Sequence, residues 1–290
     1  MLFSAILTGL VLGGTYALVA MGLTLQYGVA RIMNLAYGDI IISASFGAFV
    51  LFTALGINPL LGMLIVIPVG FVLSWLIYAV MLQPLARRSR DRGRLEGDSI
   101  LATFGLLFVI QGVALVIFGS GFMSYSFLAV PVDILGTTIA ANRLLAFVLA
   151  IAFGLGLWLV LTRTRFGTVI RAVAANPASA PLVGIDVDGV ARLAFAIGGA
   201  LAAAGGVVVS MYLTFSATMG VIFTMKALIV VIMGGVGNLM GALAAGLILG
   251  LVETLVASFI DPGLTLAATY LIFLAVLVVR PQGLFGKAAR

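Results

Sequence analysis

Apolar residues in this chain run in blocks of about 20, the length that carries an α-helix across the hydrocarbon core of a bilayer. Nine such blocks follow one another: Ser4–Gln26, Leu35–Leu55, Leu60–Leu82, Ile100–Gly119, Leu144–Leu161, Leu193–Phe215, Val221–Met233, Leu239–Ser258 and Leu264–Val279. The seventh is short enough to be a half-helix or part of a re-entrant element. The fold class expected is all-α, a polytopic transmembrane bundle of about eight to ten spans, in a single domain covering residues 1–290.

Two stretches are too polar to cross. Ser120–Asn142 carries Pro131, Asp133 and Gly136 and reads as an external loop with a short surface element. Thr162–Arg192 is longer than a minimal connection. Within it, a helix over Thr168–Ala175 is stopped by Asn176-Pro177, and a second short helix follows. An amphipathic helix outside the membrane spans either lies on the lipid surface or docks in a groove of a cytoplasmic partner.

Composition fits lipid as the solvent. Hydrophobic residues make up 63% and charged residues 8%, against roughly 25% charged in soluble domains; the mean hydropathy is +1.32. The start, Met1 to Ser4, lacks a basic n-region, and the apolar run after it is too long for a signal-peptide core, so the first block is expected to be a retained span. There is no cysteine and no histidine. Disulfides, thiol nucleophiles, His-based catalysis and the usual zinc ligand sets are thereby excluded, and neither a metal nor a cofactor is expected. No Walker A pattern occurs, so the chain does not hydrolyse ATP by itself.

Charge placement sets orientation, because short cytoplasmic loops collect Lys and Arg. Gln83–Ser99 holds Arg87, Arg88, Arg90, Arg92 and Arg94; Thr162–Arg192 holds Arg163, Arg165, Arg171 and Arg192; the tail holds Arg280, Lys287 and Arg290. The connections between them hold almost no cations. Placing the basic segments in the cytoplasm puts the N-terminus outside and the C-terminus inside. The run Arg87–Arg94 is read as a solvated, topology-setting loop, not a nucleic-acid site.

Glycines recur at four-residue spacing in Gly9/Gly13, Gly237/Gly241 and Gly246/Gly250, a pattern that lets helix backbones approach closely. Gly235 to Gly241 has the look of a dinucleotide-binding turn, but no βαβ alternation surrounds it, and a glycine break between two helices is the better reading. That break and Asn34–Asp39 suggest a weak internal symmetry of the kind transporters show. Few polar groups fall inside the apolar blocks. Asp39 is either an interfacial carboxylate at a helix N-terminus or a structural and gating group. Glu253 and Lys226 either pair across neighbouring helices or Lys226 snorkels outward. Asn34, Asp39, Gln111, Asn238 and Glu253 are the candidates for pathway or gating roles, set against helix–helix glue as the commoner use of such groups.

Several motifs in order resemble one family. Gly14 to Gly28 looks like an opening helix, and Asn34-Leu35-Ala36-Tyr37-Gly38-Asp39 is similar to a signature usually written with Phe and His in place of Leu35 and Tyr37. Arg171 to Asn176 with Gly184-Ile185, then Gly234–Gly241, then Arg280 to Gly286, also fit. Over essentially its whole length the chain resembles the inner-membrane permease subunits of branched-chain amino acid ABC importers, the shorter of two permease types, within a wider group serving ribose, urea and short amides.

The resemblance implies a bacterial inner-membrane importer with a second permease chain, two cytoplasmic ATP-binding subunits and a periplasmic solute-binding protein as partners, besides membrane lipid. It also implies an ATPase-coupling loop at residues 162–192, centred on Arg165, Gly167, Arg171, Ala172, Ala175, Asn176 and Gly184. The alternatives are the same architecture carrying urea, short amides or aromatic acids, and an ATP-independent carrier or channel, against which the sparse intramembrane charge speaks. An intramembrane enzyme ranks last, since no catalytic constellation is present.

Overall fold

The computed structural model describes residues 2–89, 92–134 and 137–286; Arg90, Gly136, Lys287 and Arg290 lie outside them. Eleven α-helices follow in order: α1 (Leu2–Ala30), α2 (Tyr37–Leu55), α3 (Pro59–Ile77), α4 (Gln83–Arg88), α5 (Arg92–Phe118), α6 (Ala141–Arg163), α7 (Arg165–Ala175), α8 (Val187–Ser210), α9 (Gly220–Gly234), α10 (Leu239–Phe259) and α11 (Thr265–Val279). A π turn, Tyr78–Leu82, joins α3 to α4 without a break, so Pro59–Arg88 forms one long apolar rod. Among the described residues nine helical segments are long and apolar enough to span a membrane. The chain is a multi-pass helical membrane protein.

Local signals explain most boundaries. Asn58 caps α3, its Oδ1 accepting from the Leu60 amide at 3.0 Å, with Pro59 at the first helical position. Gly56 ends α2 in the left-handed conformation, φ +65°, which glycine adopts without steric cost. The stretch Gln83–Ser99, expected as a loop, is largely helical: α3 continues through Arg88 and α5 begins at Arg92. Arginine is a good helix former, so the charges extend the rods beyond their apolar part. The polar stretch after α5 does form a surface element, the antiparallel hairpin β1 (Pro131–Ile134) and β2 (Thr137–Ala140).

Helix α8 stands at the centre, packed by α1, α2 and α3. Its glycines and alanines admit those neighbours at backbone range: a Cβ at Gly205 would lie 2.7 Å from Val19, and Gly70 of α3 has no room for one beside Ala203. Helices α1 and α10 run antiparallel, with Gly9 and Gly13 set against Leu251 and Leu247. A Cβ on Gly13 would sit 2.8 Å from the Leu247 Cα, and one on Gly246 would sit 2.6 Å from the Ala17 nitrogen. Two of the three glycine pairs noted in the sequence therefore meet each other, as packing within one chain. Outward, α3 with the π turn after it, α5 and α11 present rows of bare side chains such as Leu64, Val80, Leu101, Val116, Leu271 and Val278. Water would not tolerate so continuous an apolar surface; lipid does.

The basic segments gather at one end. Arg87 of α4 bonds Asp188 of α8 at 2.9 Å, Arg31 after α1 reaches the Ala174 carbonyl of α7, and Asn238 before α10 holds the Phe285 carbonyl of the tail at 2.9 Å. At the opposite end, Met123 and Phe215 exchange backbone bonds of 2.8 and 3.0 Å, and Asn142 donates to the Met211 carbonyl. There burial pushes the Tyr125 phenol above its ordinary value, the hydrogen bond with Ser210 opposing the shift.

Candidate functional site

Two regions bring the candidate residues together: an elbow at the basic end and a break in the interior of the bundle. At the elbow, α6 ends at Arg163, and Thr164 caps α7 by accepting from the Gly167 amide at 3.1 Å. The chain then turns so tightly that Gly167 lies on the Leu161 backbone, with no room for a Cβ. Gly167, Ile170 and Val173 form the buried face of α7, the three-residue spacing of an amphipathic helix. Arg165, Arg171, Ala172 and Ala175 lie on its exposed side. Arg171 folds along its own helix, Nε to the Gly167 carbonyl at 3.3 Å.

Asn176 terminates α7 as the sequence implies, and its Oδ1 accepts from the amides of Ala178 and Ser179 at 3.2 Å each. The second short helix is one 3-10 turn, Ala180–Val183, closed by Gly184 at φ +77°. Apolar side chains stand free here: Phe166 is 44% exposed, Leu182 86% and Val183 75%. Arginines so close by place these groups at the ends of the apolar spans, where the lipid surface or a groove of a partner can cover them.

The interior break runs over residues 31–36, between α1 and α2. Irregular backbone at membrane depth must find its hydrogen bonds within the protein, and two threonines supply them. Thr103 Oγ1 of α5 accepts from the Leu35 amide at 3.1 Å. Thr224 Oγ1 of α9 donates to the Leu35 carbonyl at 3.0 Å and accepts from the Gly38 amide at 2.8 Å. Tyr37 buries its ring and donates to the Val19 carbonyl at 2.8 Å. Helix α2 thus begins beside the middle of α1 and α8, and α9 begins against it: a Cβ on Gly38 would run into the Gly220 carbonyl, and one on Gly220 into Asp39. The segment expected to be a half-helix is α9, 15 residues long.

The two candidates in this break are deeply enclosed. Asn34 is 0% exposed and donates to Gln26 Oε1 at 3.2 Å, while Gln26 donates to the Phe195 carbonyl at 2.9 Å. Asp39 is 2% exposed, in the first turn of α2 and against Gly220. It is not at an interface, and Arg31 turns away from it toward α7. Asn34 Oδ1 and Asp39 Oδ2 have no hydrogen-bond partner among the described residues. A buried polar group left so costs about 1–3 kcal/mol, and such orphaned groups call for an explanation.

The remaining candidates are scattered. Lys226 Nζ and Glu253 Oε1 pair at 2.6 Å, joining α9 to α10, and Nζ also bonds the Tyr16 hydroxyl at 2.6 Å. Lys226 does not snorkel. Asn238 is the N-cap of α10, its Oδ1 accepting from the Gly241 amide at 3.1 Å, and so serves the turn. Gln111 stands apart, half-buried on α5. The symmetry suggested between Asn34–Asp39 and Gly234–Asn238 does not hold spatially: the second is a plain turn at the basic end, packed under Gly28, whereas the interior break meets residues 217–224. The sequence alone does not mark Thr103 and Thr224, since a hydroxyl in an apolar helix ordinarily bonds back to its own turn, nor Gln26, whose partners Asn34 and Phe195 lie on other elements.

Comparison with known proteins agrees in scope with this architecture. Residues 5–280 match the family model described as branched-chain amino acid transport system / permease component. The chain is 28% identical to the high-affinity branched-chain amino acid transport system permease protein LivH of Escherichia coli K12, covering 96% of this chain and 94% of that one. It is 27% identical to BraD of Pseudomonas aeruginosa (97% and 95%), and 30% identical to the probable LivH of Methanocaldococcus jannaschii (93% and 88%). In three dimensions it resembles PsaBC from Streptococcus pneumoniae in complex with Fab, at a TM-score of 0.51 and 14% identity over 97% of this chain and 92% of that one; that likeness concerns the fold alone. With the family model spanning nearly the full bundle, the chain belongs to the permease-component family of branched-chain amino acid transport systems.

Proposed function

We propose that this chain is an inner-membrane permease subunit of an ABC importer and forms part of the path for branched-chain or related amino acids. Its partners in this reading are a second permease chain, two cytoplasmic ATP-binding subunits and a periplasmic binding protein that delivers the solute. The basic end faces the cytoplasm and the N-terminus the periplasm. Relatives named as branched-chain amino acid permeases support the solute class. The observation that carries the mechanism is α7, an amphipathic helix beyond the spans whose neighbouring Phe166, Leu182 and Val183 stay bare. A groove in an ATP-binding subunit covers that surface.

Coupling then follows from contact. Gly167 leaves no gap between α7 and the end of α6, so a push on α7 moves α6 with it. Arg31 links the C-terminal end of α7 to the start of the interior break. ATP-driven closure biases the bundle between two packings, as a switch requires, and Asn34 and Asp39, orphaned in one packing, find partners in the other. The reading is tested by purifying the tagged chain from its native membrane in mild detergent and reconstituting what travels with it. Recovery of a second permease and ATP-binding subunits, with ATP-dependent leucine uptake, is expected. Ala172→Pro and Arg171→Glu should then leave ATP hydrolysis running while uptake falls at least about tenfold, the 1.4 kcal/mol scale of a single lost coupling contact. Transport by the chain alone without ATP overturns the proposal.

A further inference from the structure

A cavity of about 580 Å³ opens at the basic end, between the last turns of α1, the α6–α7 elbow and the α9–α10 turn. Apolar side chains line much of it, among them the buried Leu25, the half-buried Trp158 and the more exposed Met240. It carries cations: Arg31 and Arg171 line it from two different elements, and among the described residues no Asp or Glu does. Arg31 holds this position in the left-handed conformation, φ +56°, which residues other than glycine seldom adopt. Among the described residues its guanidinium makes one hydrogen bond, to the Ala174 carbonyl at 3.5 Å, out of five donors.

A third element adds to the same sign. The N-terminus of α10 opens on the cavity through Asn238, Leu239 and Met240. Asn238 Oδ1 takes the Gly241 amide, and among the described residues the amides of Leu239 and Met240 have no acceptor. A 21-residue helix presents positive potential at that end. Attraction for an anion, apolar side chains lining the same cavity and a position where the spans meet the basic segments together select an amphiphile, not a soluble anion.

We propose that this cavity binds an anionic phospholipid from the leaflet on the basic side, its phosphate ester between Arg31, Arg171 and the first amides of α10, and an acyl chain along Leu25, Trp158 and Met240. A zwitterionic lipid brings its ammonium group against two arginines and a positive helix end, and is disfavoured. The bound lipid would tie α1, α7 and α10 together beneath the elbow. The inference does not depend on which solute the chain carries.

Trp75 and Trp158 are the two tryptophans, and Trp75 lies outside the cavity beneath Arg192. Trp75→Phe in the full chain therefore makes Trp158 the only indole reporter. Reconstituted in phosphatidylcholine bilayers, this protein is titrated with brominated-chain phosphatidylglycerol or brominated-chain phosphatidylcholine. Quenching of Trp158 should favour the anionic lipid by at least about fivefold, the value of one basic contact near a membrane surface. Arg31→Gln with Arg171→Gln should bring the two lipids to parity, Arg31→Lys with Arg171→Lys should keep most of the preference, and soluble glycerol phosphate should not relieve the quenching. Equal quenching by both lipids in the parent overturns the proposal even where the glutamine variant fails to fold. So does a preference that survives both glutamines, or full protection by glycerol phosphate, which marks a free-phosphate site.

Discussion

The Lys226–Glu253 pair offers a quantitative test of how this bundle holds charge. Both side chains are 12% exposed and meet at 2.6 Å, so neither has much water to fall back on. Removing one partner of a buried pair costs about 3–5 kcal/mol, because the other charge is left uncompensated, while replacing both by apolar residues of similar size is often neutral. The surroundings make the two single changes unequal. Without Glu253, Lys226 keeps the Tyr16 hydroxyl at 2.6 Å and the face of the Tyr16 ring at 4.7 Å; without Lys226, Glu253 loses its cation, and its Oε2 already has no partner among the described residues.

Lys226→Met should therefore cost about 3–5 kcal/mol, and Glu253→Gln about 2–3 kcal/mol, the scale of a hydrogen bond to a charged group. Lys226→Met with Glu253→Leu should return to within about 1 kcal/mol of the parent. Reversible unfolding in mixed micelles titrated with sodium dodecyl sulfate, followed by far-ultraviolet circular dichroism, gives all three numbers. Two single variants within about 0.5 kcal/mol of the parent, the range of ordinary surface changes, would refute the reasoning and mark the pair as effectively solvated.

Two further changes probe packing and the interior break. Gly246→Ala places a Cβ 2.6 Å from the Ala17 nitrogen, against the ordinary contact of about 3.5 Å. The α1–α10 seam must open by about 1 Å, and a loss of about 1–3 kcal/mol is expected in the same unfolding assay. Thr224→Val keeps the shape but removes the hydroxyl that serves the Leu35 carbonyl and the Gly38 amide. About 2 kcal/mol should be lost, with faster amide exchange at Gly38 by mass spectrometry; unchanged exchange there would show that another group serves the break.

The rods were legible because span length and lipid solvation leave little choice: α2, α6 and α10 lie where the apolar blocks placed them. The end of α7 was legible because Pro177 cannot follow in a helix. The geometry of the interior was not. Asn34–Asp39 was visible as a break, but its partner in space, residues 217–224, reads Ala-Thr-Met-Gly-Val-Ile-Phe-Thr, where the single Gly220 sits in an apolar run and does not announce it. The glycine-rich Gly234–Asn238 drew attention instead. Whether Lys226 met Glu253 or left the bundle depended on the rotation of two helices, which no pattern along one chain fixes.

The threonine bonds across the interior break have a consequence for how the protein is made. Leu35 draws on Thr103, 68 residues later, and on Thr224, 189 residues later. At about 5–20 residues per second of synthesis, the backbone around Leu35 waits roughly ten to forty seconds for its last partner to leave the ribosome. During that interval α2 cannot rest in its final position without stranded amides and carbonyls. The nascent second span must therefore be sheltered by water or by the insertion machinery, and it docks only after α9 has been made.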